Sequence, residues 1–316
     1  MGRRRPPAEL VPALVAGDRR ALAQALSAVE EGGADAREIG RLSHGHGGLA
    51  YTVGVTGAPG AGKSTLTNAL ISELRSVGEE VAVLAIDPSS PFTGGAILGD
   101  RVRMQDHALD GGVFIRSMAT RGHLGGLSLA APQAIRVLDA AGKPWVLVET
   151  VGVDQVEVEI AGKADTTLVV VNPGWGDAVQ ANKAGLLEIA DVFVINKADR
   201  PGVAETERDL VNMLEMSELG DWRPPIVSTV AAKGEGVAEL WTAIRDHRAH
   251  IESTGELARR REARLREELR TIVARLFEAR AYAAMGAGEV ESLQQQITDR
   301  TLDPYEAAER IVSWPT

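Results

Sequence analysis

Apolar residues fall into three regimes along this chain. Between residues 49 and 252 they come in short, nearly unbroken runs separated by longer stretches of helical period. The runs are Thr52–Thr56, Val81–Ile86, Val113–Arg116, Trp145–Glu149, Thr167–Asn172, Val192–Asn196 and Ile226–Ser228. A short apolar run without polar alternation predicts a strand covered on both faces. Helical segments between such strands predict right-handed crossovers and an α/β fold with a doubly wound, mostly parallel sheet. Ligands of such sheets bind beyond the carboxyl ends of the strands.

The two flanks differ from this middle region. Residues 1–48 predict an N-terminal helical segment. Asp18 serves as N-cap of a helix to about Glu30, with Leu22, Leu26 and Val29 on one face. The stretch SHGHGG, Ser43 to Gly48, is a polar connection. His44 and His46 there could hold a metal, but no carboxylate or cysteine stands beside them, so a plain loop is expected. Residues 253–316 are rich in Arg, Glu, Leu and Ala. Leu265, Leu269, Ile272, Val273 and Leu276 share one helical face, and Glu262 can pair with Arg266. That stripe needs cover, from its own domain or from a second subunit. The reading preferred here is a helical dimerisation arm.

Composition narrows the class. A chain of 316 residues holds one large α/β domain plus appendages. The hydrophobic share of 44% and mean hydropathy of -0.06 are ordinary for a globular protein. A net charge of -10 and pI near 5.2 argue against nucleic acid as a partner. Absence of cysteine excludes disulfides, thiolate metal sites and a cysteine nucleophile, and it suits a reducing cytoplasm. The start MGRRRPPAEL has no apolar segment after its basic residues, so no secretory leader is expected. No apolar run is long enough to span a membrane.

The chemistry begins at GAPGAGKS, which fits G-x-x-x-x-G-K-[ST], the phosphate-binding P-loop. Gly57, Ala58, Pro59, Gly60, Ala61, Gly62, Lys63 and Ser64 form it, and Thr65 follows. A strand precedes it and an amphipathic helix, TLTNALISELRS, succeeds it, so backbone N–H groups converge on one point. The glycines keep Cβ atoms out of the curve. Lys63 is expected to reach the β- and γ-phosphates, and the Ser64 hydroxyl to bind Mg²⁺.

Three further motifs fall at strand ends. NKAD, Asn196 to Asp199, fits the N-K-x-D guanine signature. A carboxylate at Asp199 can accept from guanine N1–H and its exocyclic amine, a donor pair that adenine lacks. Lys197 would lie along the base and Asn196 would brace the site. The later turn TVAAKGEG is expected to close the base pocket, with the Ala231 N–H toward guanine O6. Its usual form carries Ser-Ala where this chain has Val230-Ala231. VLVETVG ends a strand on Glu149, placed to hold Mg²⁺, and Gly152 could offer its N–H to the γ-phosphate. In DPSSPFTGGAILGDRVRM, Asp87 follows an apolar strand and Asp100 follows a Gly-rich loop. Asp87, Asp100, Glu149 and Ser64 are therefore the candidate Mg²⁺ ligands, with Lys63, Glu149 and Asp100 as the catalytic candidates.

The P-loop, DPSSPFTGGAILGDRVRM, FIRSMATRGHLGGLS, VETVGVDQVEVEI and NKAD occur in the order found in one family. The chain resembles the MeaB/ArgK family of SIMIBI-class P-loop GTPases, to which the methylmalonic aciduria type A protein belongs. The likeness spans roughly residues 10 to 250, and the tail DPYEAAERIV is also similar. The resemblance implies a G-protein chaperone for an adenosylcobalamin-dependent acyl-CoA mutase, methylmalonyl-CoA mutase above all. Such proteins gate cofactor loading and protect the mutase, with GTP and Mg²⁺ as ligands and GDP as product. It also implies a homodimer joined through the C-terminal helices, and acids around Mg²⁺ at Asp87, Asp100 and Glu149. A partner-sensing switch maps to PGWGDAVQANKAG, with Asp177 and Lys183 at its charged positions. PGWGDAVQ departs from the common PPGGGDELQ there, and Trp175 changes the contact surface.

The expected reaction is GTP + H₂O → GDP + phosphate. No glutamine stands where a water-orienting residue is expected, so intrinsic hydrolysis should be slow and faster when a partner orders the switches. Two alternatives are a metallochaperone GTPase, which usually needs Cys- or His-rich ligand sets, and an ArgK-type kinase of an amino-acid transport system. Neither has a dedicated motif here. No membrane partner is expected.

Overall fold

Each apolar run becomes a strand, because a strand covered on both faces has no solvent side to fill with polar residues. In the computed structural model, which describes residues 5–87, 107, 109–119, 124–150, 164–174, 188–217 and 220–313, these strands are β1 (Tyr51–Gly57), β2 (Val81–Asp87), β3 (Val113–Ala119), β4 (Trp145–Thr150), β5 (Thr166–Val171), β6 (Val192–Asn196) and β7 (Ile226–Thr229). They form one sheet in the order β3-β2-β4-β1-β5-β6-β7. Every neighbouring pair is parallel. The expected doubly wound α/β sheet is therefore present, and it is parallel throughout its described strands.

Strand parity assigns each side chain to a layer. Val53, Val55, Val83, Leu147, Val170 and Val194 face helices α4 (Lys63–Ser76) and α7 (Val237–Ser253). Leu66, Leu70 and Leu74 of α4 are fully buried against them. Each such side chain contributes about 1.5–3 kcal/mol of transfer free energy. On the other face, Leu84, Ile86, Val146 and Val148 pack against α5 (Leu124–Ala140) and against α1 (Pro7–Val15), α2 (Arg19–Glu31) and α3 (Gly33–Ser43). Phe193 and Ile195 meet Leu210 and Leu214 of α6 (Val203–Glu215).

Asp18 caps α2 as its sequence context predicts: its carboxylate accepts from the N–H groups of Arg20 and Ala21 at 2.8 and 3.1 Å. His44 to His46 form a short 3₁₀ turn. Asp139 of α5 accepts the backbone N–H groups of Gly48, Leu49 and Ala50, and so fixes the chain as it enters β1.

The chain divides into two compact units, Met1–Arg260 and Arg261–Thr316. The first holds the sheet and the N-terminal helices. The second comprises the rest of α8 (Glu256–Met285), α9 (Ala287–Thr298) and α10 (Pro304–Val312). It has a small core of its own, Met285, Leu293, Leu302 and Ala307. On α8, Leu265, Leu269 and Val273 are exposed by 52%, 61% and 55%, so among the described residues most of the predicted stripe is open. Among the described residues no helix is long and apolar enough to cross a membrane.

Candidate functional site

The carboxyl ends of β1, β4 and β6 gather the predicted groups. β1 ends at Gly57, five residues turn, and α4 begins at Lys63 with Gly62 as its N-cap. Gly62 has no side chain with which to cap that end, so the first-turn N–H groups face the loop at the positive end of the helix dipole. Ala58 N–H bonds the Val170 carbonyl and ties the loop to β5. Lys63 is buried, and its ammonium donates to the carbonyls of Gly57 at 2.8 Å and Ala58 at 3.2 Å. A positive charge thus sits inside the curve of the loop. Pro59, Gly60 and Thr65 are exposed around it, while Ala61 is buried.

Ser64 follows Lys63 and donates its hydroxyl to Glu149 Oε1 at 2.5 Å. Glu149 stands on β4 in register with Val55, and both Ser64 and Glu149 are buried. A hydroxyl and a carboxylate side by side at a helix N-terminus are hard oxygen donors of the kind that Mg²⁺ accepts. Asp87 ends β2 in register with Ala119, on the same sheet edge. Asp100, Gly152, Asp177, Lys183 and Trp175 lie outside the described residues, as does the Asp87 side chain. Among the described residues no three His, Cys, Asp or Glu side chains converge on a metal position.

Asn196 wires the phosphate loop to the base turn. Its amide nitrogen donates to the Ala61 carbonyl at 2.8 Å and more weakly to Gly62 at 3.5 Å. Its amide oxygen accepts from the Thr229 hydroxyl and the Ala231 N–H, both at 3.2 Å. The Ala231 N–H, expected to face guanine, is thus engaged by Asn196 here. Gly62 has φ of +93°, and a Cβ there would stand 2.5 Å from Asn196 Nδ2, so no other residue fits this approach. Lys197 also takes a left-handed backbone, φ 60°, at a cost of about 1 kcal/mol. That turn sends its ammonium back to the Gly60 carbonyl at 2.5 Å.

Asp199 is half exposed, and its carboxylate lies 3.7 Å from Lys233 Nζ. Sequence reasoning named the turn that carries Lys233 but missed this lysine and Thr229. Thr229 is the first residue of that turn and the last of β7, and its hydroxyl at a strand end was the available signal. The assembled groups suit one ligand type: a polyphosphate on the loop, with a base carrying adjacent N–H donors at Asp199.

Comparison with known proteins agrees with this geometry. The family described as methylmalonyl Co-A mutase-associated GTPase MeaB matches residues 22–286. A Pyrococcus abyssi protein named "Putative GTPase" is 51% identical over 96% of this chain and 95% of its own length. The Escherichia coli GTPase ArgK is 39% identical over 83% of this chain and 82% of its own. The crystal structure of a protein named LAO/AO transport system kinase superposes with a TM-score of 0.72 at 28% identity, covering 98% of both chains. With a P-loop, the NKAD turn at the end of β6 and these relatives, the protein is a P-loop GTPase, and the chain belongs to the MeaB family of methylmalonyl Co-A mutase-associated GTPases.

Proposed function

We propose that this GTPase acts as a G-protein chaperone for an adenosylcobalamin-dependent acyl-CoA mutase, methylmalonyl-CoA mutase first among them. Membership of a family named for its mutase association supports this reading. A mouse relative named methylmalonic aciduria type A homolog, 34% identical over 80% of this chain, supports it too. The protein would gate cofactor loading and guard the mutase, working as a homodimer in the cytoplasm.

The observation that carries the chemistry is the Asn196 bridge, which holds the phosphate loop and the base turn together. Lys63 and the loop N–H groups would stabilise charge building on the γ-phosphoryl group. Gly57 to Thr65 would cradle the phosphates, and Gly152 would sense the γ-phosphate. Ser64 and Glu149, with Asp87 and Asp100, would hold Mg²⁺, which supplies electrostatic neutralisation of the phosphate oxygens when bound. Asp199 would read guanine. Lys197 and Lys233 would flank the base, with the Ala231 turn closing the pocket. Asp177 and Lys183 would report the partner, and hydrolysis would be slow without it.

Competition binding tests the base assignment: Asp199→Asn should erode the preference for GTP over ATP, and unchanged selectivity would refute it. Sedimentation with a purified mutase tests the client: a complex that depends on the bound nucleotide supports the reading, and none with GTP or GDP counts against it. The kinase reading draws on the solved relative that is named a transport system kinase. A phosphotransfer assay with GTP and a periplasmic binding protein separates the two.

A further inference from the structure

Polar groups crowd both ends of β6. Before its first residue, Asp191 joins the Thr167 N–H at 2.8 Å, the His247 imidazole at 3.2 Å and the Arg260 guanidinium at 3.0 Å. That end is closed to a ligand: His247 is fully buried and Asp191 nearly so. At the other end the NKAD turn, 196–199, meets the turn 229–236 at an open rim. Asp199 is 46% exposed there and Lys233 57%, and the carboxylate and ammonium stand 3.7 Å apart.

Backbone bonds fix where Lys233 stands. The Ala198 N–H bonds the Thr229 carbonyl at 3.0 Å and joins the two turns. The Val230 N–H bonds the Glu235 carbonyl at 3.0 Å and closes the second turn on itself. Inside it, the Lys233 N–H bonds the Val230 carbonyl at 2.8 Å. Gly236 ends the turn at φ +76°, where a Cβ would stand 2.2 Å from the Ser228 carbonyl oxygen.

Reading a guanine at this rim takes an acceptor and a donor side by side. Guanine carries an N1–H next to the O6 carbonyl, whereas adenine carries a bare N1 next to an amine. Asp199 is the acceptor. The donors around it serve the protein itself. Asn196 holds the Ala231 N–H at 3.2 Å and gives its own amide nitrogen to Ala61, and the Lys197 ammonium goes to the Gly60 carbonyl. Val230, where serine is usual, brings no hydroxyl. Lys233 brings three N–H donors to the rim, and its exposure lets a ligand reach them.

We propose, on the reading that Asp199 accepts from guanine N1–H, that the Lys233 ammonium donates to guanine O6 and sets the base specificity with it. Its charge then works twice. It binds the O6 oxygen of guanine, and it repels the amine hydrogens that adenine puts in the same place. The pair with Asp199 also holds donor and acceptor side by side before the base arrives, which lowers the ordering cost of binding.

The test is affinity for GDP, 6-thio-GDP and ADP, measured by titration calorimetry on the unsubstituted protein and two variants. 6-thio-GDP keeps the N1–H and the exocyclic amine and replaces O6 by sulfur, a weak acceptor. Lys233→Met keeps the stem and removes the charge. It should weaken GDP about tenfold and leave 6-thio-GDP and ADP within about twofold. Lys233→Arg keeps charged donors and should restore most of the GDP affinity. A loss shared equally by all three nucleotides would overturn the proposal, because it would mark a general charge or a support of the turn. Unchanged GDP affinity in Lys233→Met would overturn it as well. Equal affinity of the unsubstituted protein for GDP and ADP would instead remove the base reading at Asp199, and the proposal with it.

Discussion

Asn196 decides more at the residue scale than its motif suggests. Its amide is 2% exposed and uses both ends, one on the phosphate loop and one on the base turn. Replacing it by alanine strands buried partners on both sides. Asn196→Ala should therefore weaken nucleotide binding by about 2–3 kcal/mol, roughly 30- to 150-fold in Kd. Titration calorimetry with GDP measures this, and a change under a few-fold would show that the two loops hold without it. The identity of this residue was legible in NKAD, and so was its bracing role. Its partners were not: Ala61 and Thr229 are distant in sequence and meet only because β1, β5, β6 and β7 are neighbours in the sheet. Lys233 escaped for the same reason, since its place near Asp199 depends on how the last turn folds back.

Strands were the most legible elements, because burial on both faces leaves an unbroken apolar signature. The sequence bounds missed at strand ends: most strands run further than expected, and β5 stops at Val171, one residue short of the expected Asn172. Tyr51 and Gly57 both extend β1, and Thr150 extends β4. Capping was legible too, at Asp18. There the Ala21 N–H and Arg5 hold the carboxyl below the usual aspartate value. The stability this gives is complete above the unfolded carboxylate range and is lost as pH falls through the lower folded value. Asp18→Asn keeps a capping oxygen but cannot titrate, so the acid limb of its pH–stability curve should be flatter. An unchanged limb in acid titrations followed by circular dichroism would show that Asp18 does not carry it. On α8 the apolar stripe was legible, but what covers it was not, because periodicity marks a buried face and not the surface that meets it. If that cover is a second copy, Leu269→Glu with Val273→Glu should leave the melting temperature of the first unit unchanged and give a monomer in light scattering. A dimer that survives both changes would place the contact elsewhere.

At the scale of the whole molecule, two polar clusters among the described residues lie on opposite edges of one sheet. Phosphate loop, Glu149 and the base turn lie at the carboxyl ends of the strands; the Asp191 cluster lies where the strands begin. β6 touches both, with Asp191 before its first residue and Asn196 as its last. The nucleotide end was foreseeable because phosphate chemistry requires a Gly-rich turn and a helix N-terminus, and both have sequence signatures. The other end was not, because ion pairs at the base of a sheet follow from the fold and carry no motif. The most direct measurement of the chaperone role is steady-state GTP hydrolysis with and without a purified adenosylcobalamin-dependent mutase from the same organism. A slow basal rate that rises about tenfold or more with the mutase is the predicted result. A rate that is fast alone, or indifferent to the mutase while GTP stays bound, would contradict the chaperone account.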